Sequence, residues 1–491
     1  MDTLPRIESA GSRGTARRAL SDTPRRLILF GLGMSVLTAA LVTVLAGGFS
    51  AARTGMSSMS AGADEVGVTN DLYFRLNDMD AQAANALLVG FRPTIAVPAA
   101  VSAKSAVGTY ESDRQAADRD LQRIAANPAL ADPYARLLDA LGDYEARVGE
   151  ALYVDQSASS AQLPAQPPAT ALSEYQGAST LMHNSILPIA STITSADSSR
   201  VNDQYASDVS DAHIYTWLTA LAALAAVLTA LAASRYLARS FRRMIAPALA
   251  VVIVVTIAVA ISAMATLSHE AAQFTIAKRD AFDSINALTR ARAVSYDANA
   301  DESRWLLERT PALQSGFFDK ASQIIAVPGV DAESAAAQPG NYYGALKSAV
   351  AQLSVDPAAD KVANVRLGGF LGTELNNITF PGEAQGAAAT VRDFEAYLEG
   401  DAIIRGDANS GDLAGAVAFD IGTQAGQSNF RYYQYDQALG HVIAINEDAF
   451  RSAIADGQSG LGVWAWLPYA TGAVLLALIG TALYPRLREY R

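Results

Sequence analysis

Four long apolar runs divide the chain into alternating apolar and polar segments. They cover about 27–47, 214–233, 245–267 and 463–483, and none contains Asp, Glu, Lys or Arg. A helix needs about 20 apolar residues to cross a bilayer core, whereas a buried helix in a water-soluble domain usually keeps a polar face. The pattern therefore predicts four transmembrane helices.

The first run has an alternative interpretation as a secretory signal. Arg25 and Arg26 precede it, and small residues follow it at 46–52. Its apolar stretch is longer than the roughly 7–15 residues of a usual signal core. A membrane helix is favoured, and a cleaved signal remains the alternative.

Arginines set the predicted orientation, because segments on the cytosolic side of a membrane are enriched in basic residues. Thirteen arginines and only four acidic residues lie before the first run, between the second and third runs, or after the fourth. The arginines are Arg6, Arg13, Arg17, Arg18, Arg25, Arg26, Arg235, Arg239, Arg242, Arg243, Arg486, Arg488 and Arg491. In a four-pass chain all three segments face the same side, so both termini are expected in the cytosol.

The other two polar segments are acidic, although the net charge of the whole chain is only −12. An acidic exterior argues against binding nucleic acid and against docking on anionic lipid. The chain has no cysteine, so its exterior part must be stabilised by packing rather than by disulfides.

The predicted class is all-α, with four transmembrane helices and two extracytoplasmic four-helix bundles, each flanked by a pair of spans. Alanine and leucine are abundant in the exterior segments, and long alternations of β-branched residues are missing. The predicted order is a basic cytosolic tail (1–26), span one (27–50), bundle one (51–213), span two (214–234), a basic cytosolic loop (235–244), span three (245–267), bundle two with an insertion (268–461), span four (462–484) and a cytosolic tail (485–491).

Proline-containing breaks give the expected helix ends. In the first exterior segment they predict helices at about 52–90, 99–126, 134–157 and 171–211. In the second they predict helices at about 268–309 and 410–456, with loops at 326–341 and 377–386.

Two short likenesses suggest that the second exterior segment duplicates the first. "DAQAANALL" (80–88) resembles "DANADESRWLL" (297–307), and "DYEARV" (143–148) resembles "DFEAYL" (393–398). The likenesses are farther apart in the second segment than in the first, which predicts an insertion of about 33 residues in the second copy.

Patterns for catalysis or metal binding are weak. His269-Glu270 begins like a zinc-protease helix, but Gln273 stands where the second histidine is needed. "RGDANSGD" (405–412) is interpreted as a turn between helices, because Ala418 would be the twelfth residue of a calcium loop. The spans also lack the ionisable groups typical of transport pathways. The sequence therefore predicts no enzyme, no catalytic residue, no metal site and no cofactor.

One stretch has charges at helical spacing. In "TRARAVSYDANADESRWLLER" (289–309), five charged residues fall on one helix face: Arg290, Asp297, Asp301, Arg304 and Glu308. Because its charges balance, a solvated face with internal ion pairs is favoured. The alternative is a ligand or partner face, in which arginine binds a carboxylate.

A second candidate stretch is "NFRYYQYDQ" (429–437), which adds Arg431 and three tyrosines. These residues could face a ligand together with the 289–309 helix. Aromatic packing between helices is the commoner use of such a pattern and is favoured.

The chain also resembles known membrane sensors. A helical bundle between two spans looks like the sensor half of bacterial chemoreceptors. "ASTLMHNSILPIASTI" (178–193), "LTRARAVSYDANADESRWLL" (288–307) and "ELNNITFPGE" (374–383) look like segments of actinobacterial membrane proteins. The tandem arrangement without a cytosolic signalling domain is similar to the GlnX family. This resemblance implies an amino-acid-sensing signalling intermediary that contacts an extracytoplasmic amino-acid-binding lipoprotein and a cytosolic Ser/Thr protein kinase.

The sequence thus predicts a plasma-membrane sensor that relays an exterior event to a cytosolic partner. The predicted output contact is Arg235, Arg239, Arg242 and Arg243, which could equally serve as a topological anchor on anionic lipid. An envelope scaffold without switching is the alternative function. A homodimer and pairing of the two bundles within one chain both remain open.

Overall fold

The computed structural model describes residues 13–93, 100–125, 127, 130–241, 247–363 and 365–488. Within these ranges the chain is almost entirely helical, and one short antiparallel hairpin pairs β1 (Ser354–Asp356) with β2 (Lys361–Ala363). The predicted all-α class is confirmed. The arginines expected at 6, 242, 243 and 491 lie outside the described residues.

Long helices dominate the chain. In order they are α1 (Arg13–Val89), α2 (Ala103–Ile124), α3 (Ala131–Gln156), α4 (Ala169–Leu181), α5 (Leu187–Phe241), α6 (Pro247–Thr275), α7 (Asp283–Glu308), α8 (Pro311–Ile324), α9 (Ala332–Ala337), α10 (Pro339–Gln352), α11 (Gly369–Asn376), α12 (Glu383–Ser410), α13 (Leu413–Asp420), α14 (Ser428–Ser459) and α15 (Leu467–Arg488). Two π-helical segments, Met182–Ile186 and Ile276–Phe282, join α4 to α5 and α6 to α7.

Four helical stretches are long and apolar enough to cross a membrane, as the sequence predicted. They are Pro24–Val89, Ala169–Ser240, Pro247–Glu308 and Leu467–Pro485. The first three have 66, 72 and 62 residues, far more than the roughly 20 that a bilayer core needs. In each of these three, an apolar run and a long polar run therefore share one helical stretch.

The chain divides into two compact units. The apolar unit consists of the residues up to Met59, Asp203–Thr275 and the residues from Ala453 onward. Its helices pack through apolar clusters, and the rings of Phe49 and Trp464 stack with centroids 4.2 Å apart.

The polar unit consists of Ser60–Asn202 and Ile276–Ser452, so it contains most of the two segments predicted to be exterior. One hydrophobic core contains Leu76 and Tyr144 of the first segment together with Trp305 and Ile404 of the second. A second core is built from the second segment alone, around aromatic residues such as Phe394. The two segments predicted as successive bundles thus share buried surface.

The predicted helix from about 410 to 456 was wrong in its first part. α12 ends at Ser410 because Gly411 has φ +98°, a left-handed conformation that glycine adopts without steric cost. The side chain of Asp412 then accepts from the backbone N–H of Gly415 at 2.9 Å and starts α13. The predicted turn between helices is therefore present only at Gly411 and Asp412, since 405–410 belong to α12.

Two other expectations need correction. The predicted loop at 326–341 contains α9, whose start is capped by Asp331 accepting from the N–H of Ser334 at 2.7 Å. The predicted cytosolic loop at 235–244 is helical as far as Phe241, so Arg235 and Arg239 belong to α5. α5 continues because "SRYLARSF" contains no glycine or proline that would end it.

Candidate functional site

A group of buried charges surrounds Arg304 in the polar unit. The Arg304 side chain is 1% exposed and lies on α7. Its Nη1 donates to Asp80 on α1, its Nε donates to Asp301 Oδ1 at 3.0 Å, and its Nη2 donates to Asp297 Oδ1 at 2.7 Å. Three carboxylates from two helices therefore bind one guanidinium, whose planar set of donors suits this arrangement.

Two further basic residues complete this charge network. Lys320 on α8 donates from Nζ to Asp301 Oδ2 at 2.6 Å and contacts Asp297 Oδ2 at 2.9 Å. His183, in the π-helical segment Met182–Ile186, has Nε2 2.9 Å from Asp297 Oδ1. Burying charges is costly unless each is paired and hydrogen-bonded, and the network meets that requirement with partners from four chain elements. We call these six residues, Asp80, His183, Asp297, Asp301, Arg304 and Lys320, the Arg304 network.

Both ring nitrogens of His183 have hydrogen-bond partners. Its Nδ1 lies 2.8 Å from the carbonyl oxygen of Ser179, and its Nε2 faces the carboxylate of Asp297. These contacts hold the ring between the π-helical segment and α7.

Electrostatics keep Asp297 ionised although it is buried. Burial opposes ionisation, but Lys320, His183 and Arg304 outweigh it and hold the pKa of Asp297 well below its usual value. Such a group contributes stability that is present above its unfolded-state pKa and is lost as the pH falls through its folded-state pKa. Asp297 therefore stays an ionised partner of Arg304 at neutral pH, and the ion pair of Arg304 with Asp80 joins α7 to α1.

Only three of the five charged residues predicted on one face of 289–309 contact one another in the structure. Asp297, Asp301 and Arg304 meet in the Arg304 network, and the favoured interpretation of a solvated face is wrong for these three, which are all buried. Their charges are compensated by Asp80, Lys320 and His183 from other elements. A sequence pattern on one helix cannot indicate such partners.

The other three predicted site residues lie elsewhere. Arg290 is half-buried beside a different cavity with Tyr73 and Gln323. Glu308 is half-buried, and burial raises its pKa. Arg431 donates from Nη1 to the carbonyl oxygen of Ala396 at 2.6 Å and therefore binds backbone rather than a carboxylate of the Arg304 network.

Asp80, His183 and Lys320 were not predicted as site residues. One signal was present, because Asp80 and Asp297 both open the first pair of likenesses, "DAQAANALL" and "DANADESRWLL". In the structure these two aligned carboxylates bind the same guanidinium. Lys320 and His183 reach the network from α8 and from a π-helical segment, which neither composition nor spacing predicts.

A second buried charge group surrounds Arg405 on α12. Its Nε donates to Asp401 Oδ2 at 2.8 Å, and the hydroxyl of Tyr343 donates to the same oxygen. The guanidinium carbon lies 4.7 Å from the ring centroid of Trp305 and 4.8 Å from that of Phe317. Aromatic faces thus hold this cation where hydrogen-bond partners are few.

Acidic groups next to Arg405 bind protons tightly. Burial, followed by the charge of Asp401 and that of Asp420, holds the pKa of Glu302 well above its usual value. Burial also raises the pKa of Asp420 to about 7. This part of the polar unit therefore contains carboxyl groups that are neutral, or close to their titration point, at physiological pH.

A cavity of about 470 Å³ opens between α1, α7 and α14 of the polar unit, and we call it the tyrosine cavity. Its lining residues are Asp78, Gln82, Asn85, Val101, Tyr296, Asn299, Thr423, Asn429, Phe430, Tyr432, Tyr433 and Asp436. This volume falls within the range of small-molecule sites, roughly 300–1,000 Å³. Part of "NFRYYQYDQ" thus lines a cavity, while Tyr435 of the same stretch is fully buried in the core.

Metal binding has no support in the described residues. In these parts of the chain no group of three or more His, Asp or Glu side chains could hold a metal ion. The three carboxylates that do converge, at Asp80, Asp297 and Asp301, bind the guanidinium of Arg304.

Comparison with known proteins gives one match. Residues 59–206 match a family described as an actinobacterial sensor domain. The match contains Asp80, His183 and the α1 wall of the tyrosine cavity, and it covers less than half of the chain. A search of curated proteins found no match. Together, the match and the four apolar helices support a multi-pass membrane protein with a sensor role.

Proposed function

We propose that the chain is a plasma-membrane signal transducer. Its polar unit faces the outside and responds to a ligand or to a ligand-binding protein. Its membrane helices carry that response to a partner in the cytosol. The chain itself performs no chemistry, and both termini are cytosolic.

The Arg304 network is the observation that carries this proposal. α1 contains both the first apolar run and Asp80, and α7 follows the third apolar run through a π-helical segment. An ionic contact between α1 and α7 thus joins two helical stretches that each include a candidate span. Packed helices shift by about 1–2 Å in many signalling transitions. A ligand that changes the packing of α1 against α7 would move the helices that contain the spans.

The partners follow from the resemblance to the GlnX family. We propose that an extracytoplasmic amino-acid-binding lipoprotein contacts the polar unit and that a cytosolic Ser/Thr protein kinase receives the output. In the proposed topology, the basic segment 235–244 between the second and third spans faces the cytosol. Arg235 and Arg239, with Arg242 and Arg243, are the proposed contact for this kinase.

The proposal is tested by neutralising the output contact in cells. We expect the triple replacement Arg239→Gln, Arg242→Gln and Arg243→Gln to abolish signalling, because the kinase would lose its cationic contact. The measurement compares kinase-dependent Ser/Thr phosphorylation in cells with the wild-type chain, the triple variant or no chain. Cells with the triple variant should show the same level of phosphorylation as cells without the chain.

Controls separate signalling from membrane insertion. The triple Arg→Lys variant keeps the charge and should retain signalling, and neutralising the exposed Arg119, Arg136 and Arg451 of the polar unit should have no effect. Because the chain has no cysteine, a single cysteine at exposed Ser159 can report topology by labelling. Correctly inserted Gln variants with wild-type phosphorylation would refute the output contact. Phosphorylation that is unchanged without the chain would favour an envelope scaffold.

A further inference from the structure

The walls of the tyrosine cavity carry acidic groups and no basic group. Asp78 of α1 and Asp436 of α14 both line it, while no Lys or Arg is among its described lining residues. Residues 94–99, outside the described part, contain no charged residue either. An anionic ligand would therefore find no cation among these residues and would face two carboxyl groups.

The two acids differ in how they are compensated. Asp436 binds Arg292 through two parallel hydrogen bonds, Nε to Oδ1 at 2.7 Å and Nη2 to Oδ2 at 2.9 Å. Asp78 has no basic partner within hydrogen-bond distance among the described residues and accepts from Gln82 Nε2 at 2.9 Å. Asp78 is therefore the lining acid that is not already bound to a cation.

Asp113, which lies outside the lining, forms an acidic pair with Asp78, and its Oδ1 lies 3.6 Å from Nη1 of Arg75. Burial, followed by the charge of Asp78, raises the pKa of Asp113 to about 8. Burial also raises the pKa of Asp78, but hydrogen bonds from Gln82 and Asp113 act in the opposite direction and favour its ionised form. The two acids therefore share a proton, and the negative charge that remains belongs to the pair. Through Asp78, which lines the cavity, the pair can accept hydrogen bonds from an ammonium group.

Aromatic rings form another part of the lining. Tyr296 and Tyr432 meet edge to face with centroids 5.0 Å apart, and Tyr433 is 56% exposed. Faces of tyrosine rings attract cations and also cover apolar groups. This combination suits a ligand that has both a positive charge and an apolar body.

Asn85 supplies a directed donor to the same cavity. It is only 7% exposed, and its Oδ1 accepts from the hydroxyl of Ser303 at 2.7 Å. Its Nδ2 has no acceptor among the described residues but is not among the enclosed unsatisfied atoms, so solvent can satisfy it and the ligand needs no acceptor.

We infer that the tyrosine cavity binds a small organic monoamine in its protonated form and excludes the α-amino acid with the same side chain. The ammonium group binds Asp78 and the tyrosine rings, and the apolar body lies against the aromatic wall. A carboxylate on the ligand would face Asp78, and none of the described lining residues is a Lys or Arg that could bind it. This inference deepens the proposed function, because it names the chemical class of an exterior ligand and differs from the amino-acid sensing implied by the resemblance.

The test compares amines with their own amino acids. The purified full chain in lipid nanodiscs is titrated by calorimetry at pH 7.5 with tyramine, tryptamine and 3-methylbutylamine, and with tyrosine, tryptophan and leucine. We expect at least one amine to bind about tenfold or more tightly than its amino acid, because the carboxylate of the amino acid is repelled by the acidic lining. No binding of any amine at millimolar concentration, or equal binding of amine and amino acid, would overturn the inference.

Variants locate the binding in the cavity. Asp78→Asn removes the charge, and Tyr433→Ala removes an exposed ring with little effect on folding. Each should weaken amine binding about tenfold, whereas Tyr153→Ala, a similarly exposed tyrosine on α3 outside the cavity, should leave it unchanged. Unaltered binding by the Tyr433→Ala variant would place the amine elsewhere and refute the assignment. The phosphorylation test uses no ligand, so the two proposals can fail independently.

Discussion

Replacing Arg304 with methionine is expected to destabilise the polar unit by about 3–5 kcal/mol. Methionine fills part of the volume of the arginine stem, but it leaves Asp80, Asp297 and Asp301 without their shared donor. Removing one member of a buried ionic group costs far more than the group contributes as a whole, because the remaining charges are left unpaired. The loss is measured by chemical unfolding of the purified chain in detergent.

Arg290→Met is the matched control for this prediction. Arg290 lies on the same helix and on the same predicted face, but it is half-buried and belongs to a different cavity. Its replacement should change the stability by less than about 1 kcal/mol. Similar losses for the two variants would show that the Arg304 network is not a strong ionic contact between α1 and α7. Adding Asp80→Asn to Arg304→Met should recover part of the loss, because one unpaired charge is removed.

Glu374→Gln is expected to stabilise the chain strongly at pH 8 and by only about 1 kcal/mol at pH 5.5. Burial, followed by the charge of Glu383, raises the pKa of Glu374 to about 8. The carboxylate of Glu383 already accepts two hydrogen bonds, from Asn446 Nδ2 at 2.7 Å and from the N–H of Thr379 at 2.7 Å. Glutamine reproduces the neutral form of Glu374 at every pH.

The sign of the expected change in stability with pH follows from proton linkage. A carboxyl group whose folded-state pKa is raised contributes stability that is fully present below its unfolded pKa and is lost as the pH rises through the folded value. For Glu374 this window runs from about 4.5 to about 8. Over this pH window the free energy of unfolding of the wild-type chain should fall by roughly 2–4 kcal/mol relative to Glu374→Gln, since each pKa unit corresponds to about 1.36 kcal/mol.

Unfolding curves at pH 5.5, 7 and 8 measure this difference. Glu333→Gln, at an exposed position in the first turn of α9, is the control and should run parallel to the wild type at all three pH values. A Glu374→Gln variant that keeps the full pH dependence of the wild type would contradict the raised pKa of Glu374.

Much of the secondary structure could be predicted, because it depends on local patterns. The apolar runs are long enough to identify the four candidate spans, and proline breaks place α2 and α3 to within a few residues. The end of α12 at Gly411 could not be placed from local patterns alone. An isolated glycine in a helical pattern is usually tolerated, and only the left-handed backbone seen in the structure makes it the end of α12.

The site was harder to predict, since its partners are distant in sequence. Arg304 and Asp301 are three residues apart and could be paired from helical spacing. Asp80 and Lys320 come from other helices, and His183 depends on a π-helical turn that no sequence pattern indicated. The sequence also did not predict the burial of Arg304. A balanced set of charges on one helix is equally compatible with an exposed face.

The break between α14 and α15 makes the four candidate membrane crossings unequal. α14 ends at Ser459, and α15 starts only at Leu467, after a short 3₁₀ turn at Val463–Ala465. Non-helical residues can absorb a small rotation or translation that a continuous helix would pass on. If the chain relays a signal as proposed, the fourth crossing would therefore transmit less helix movement than the other three crossings.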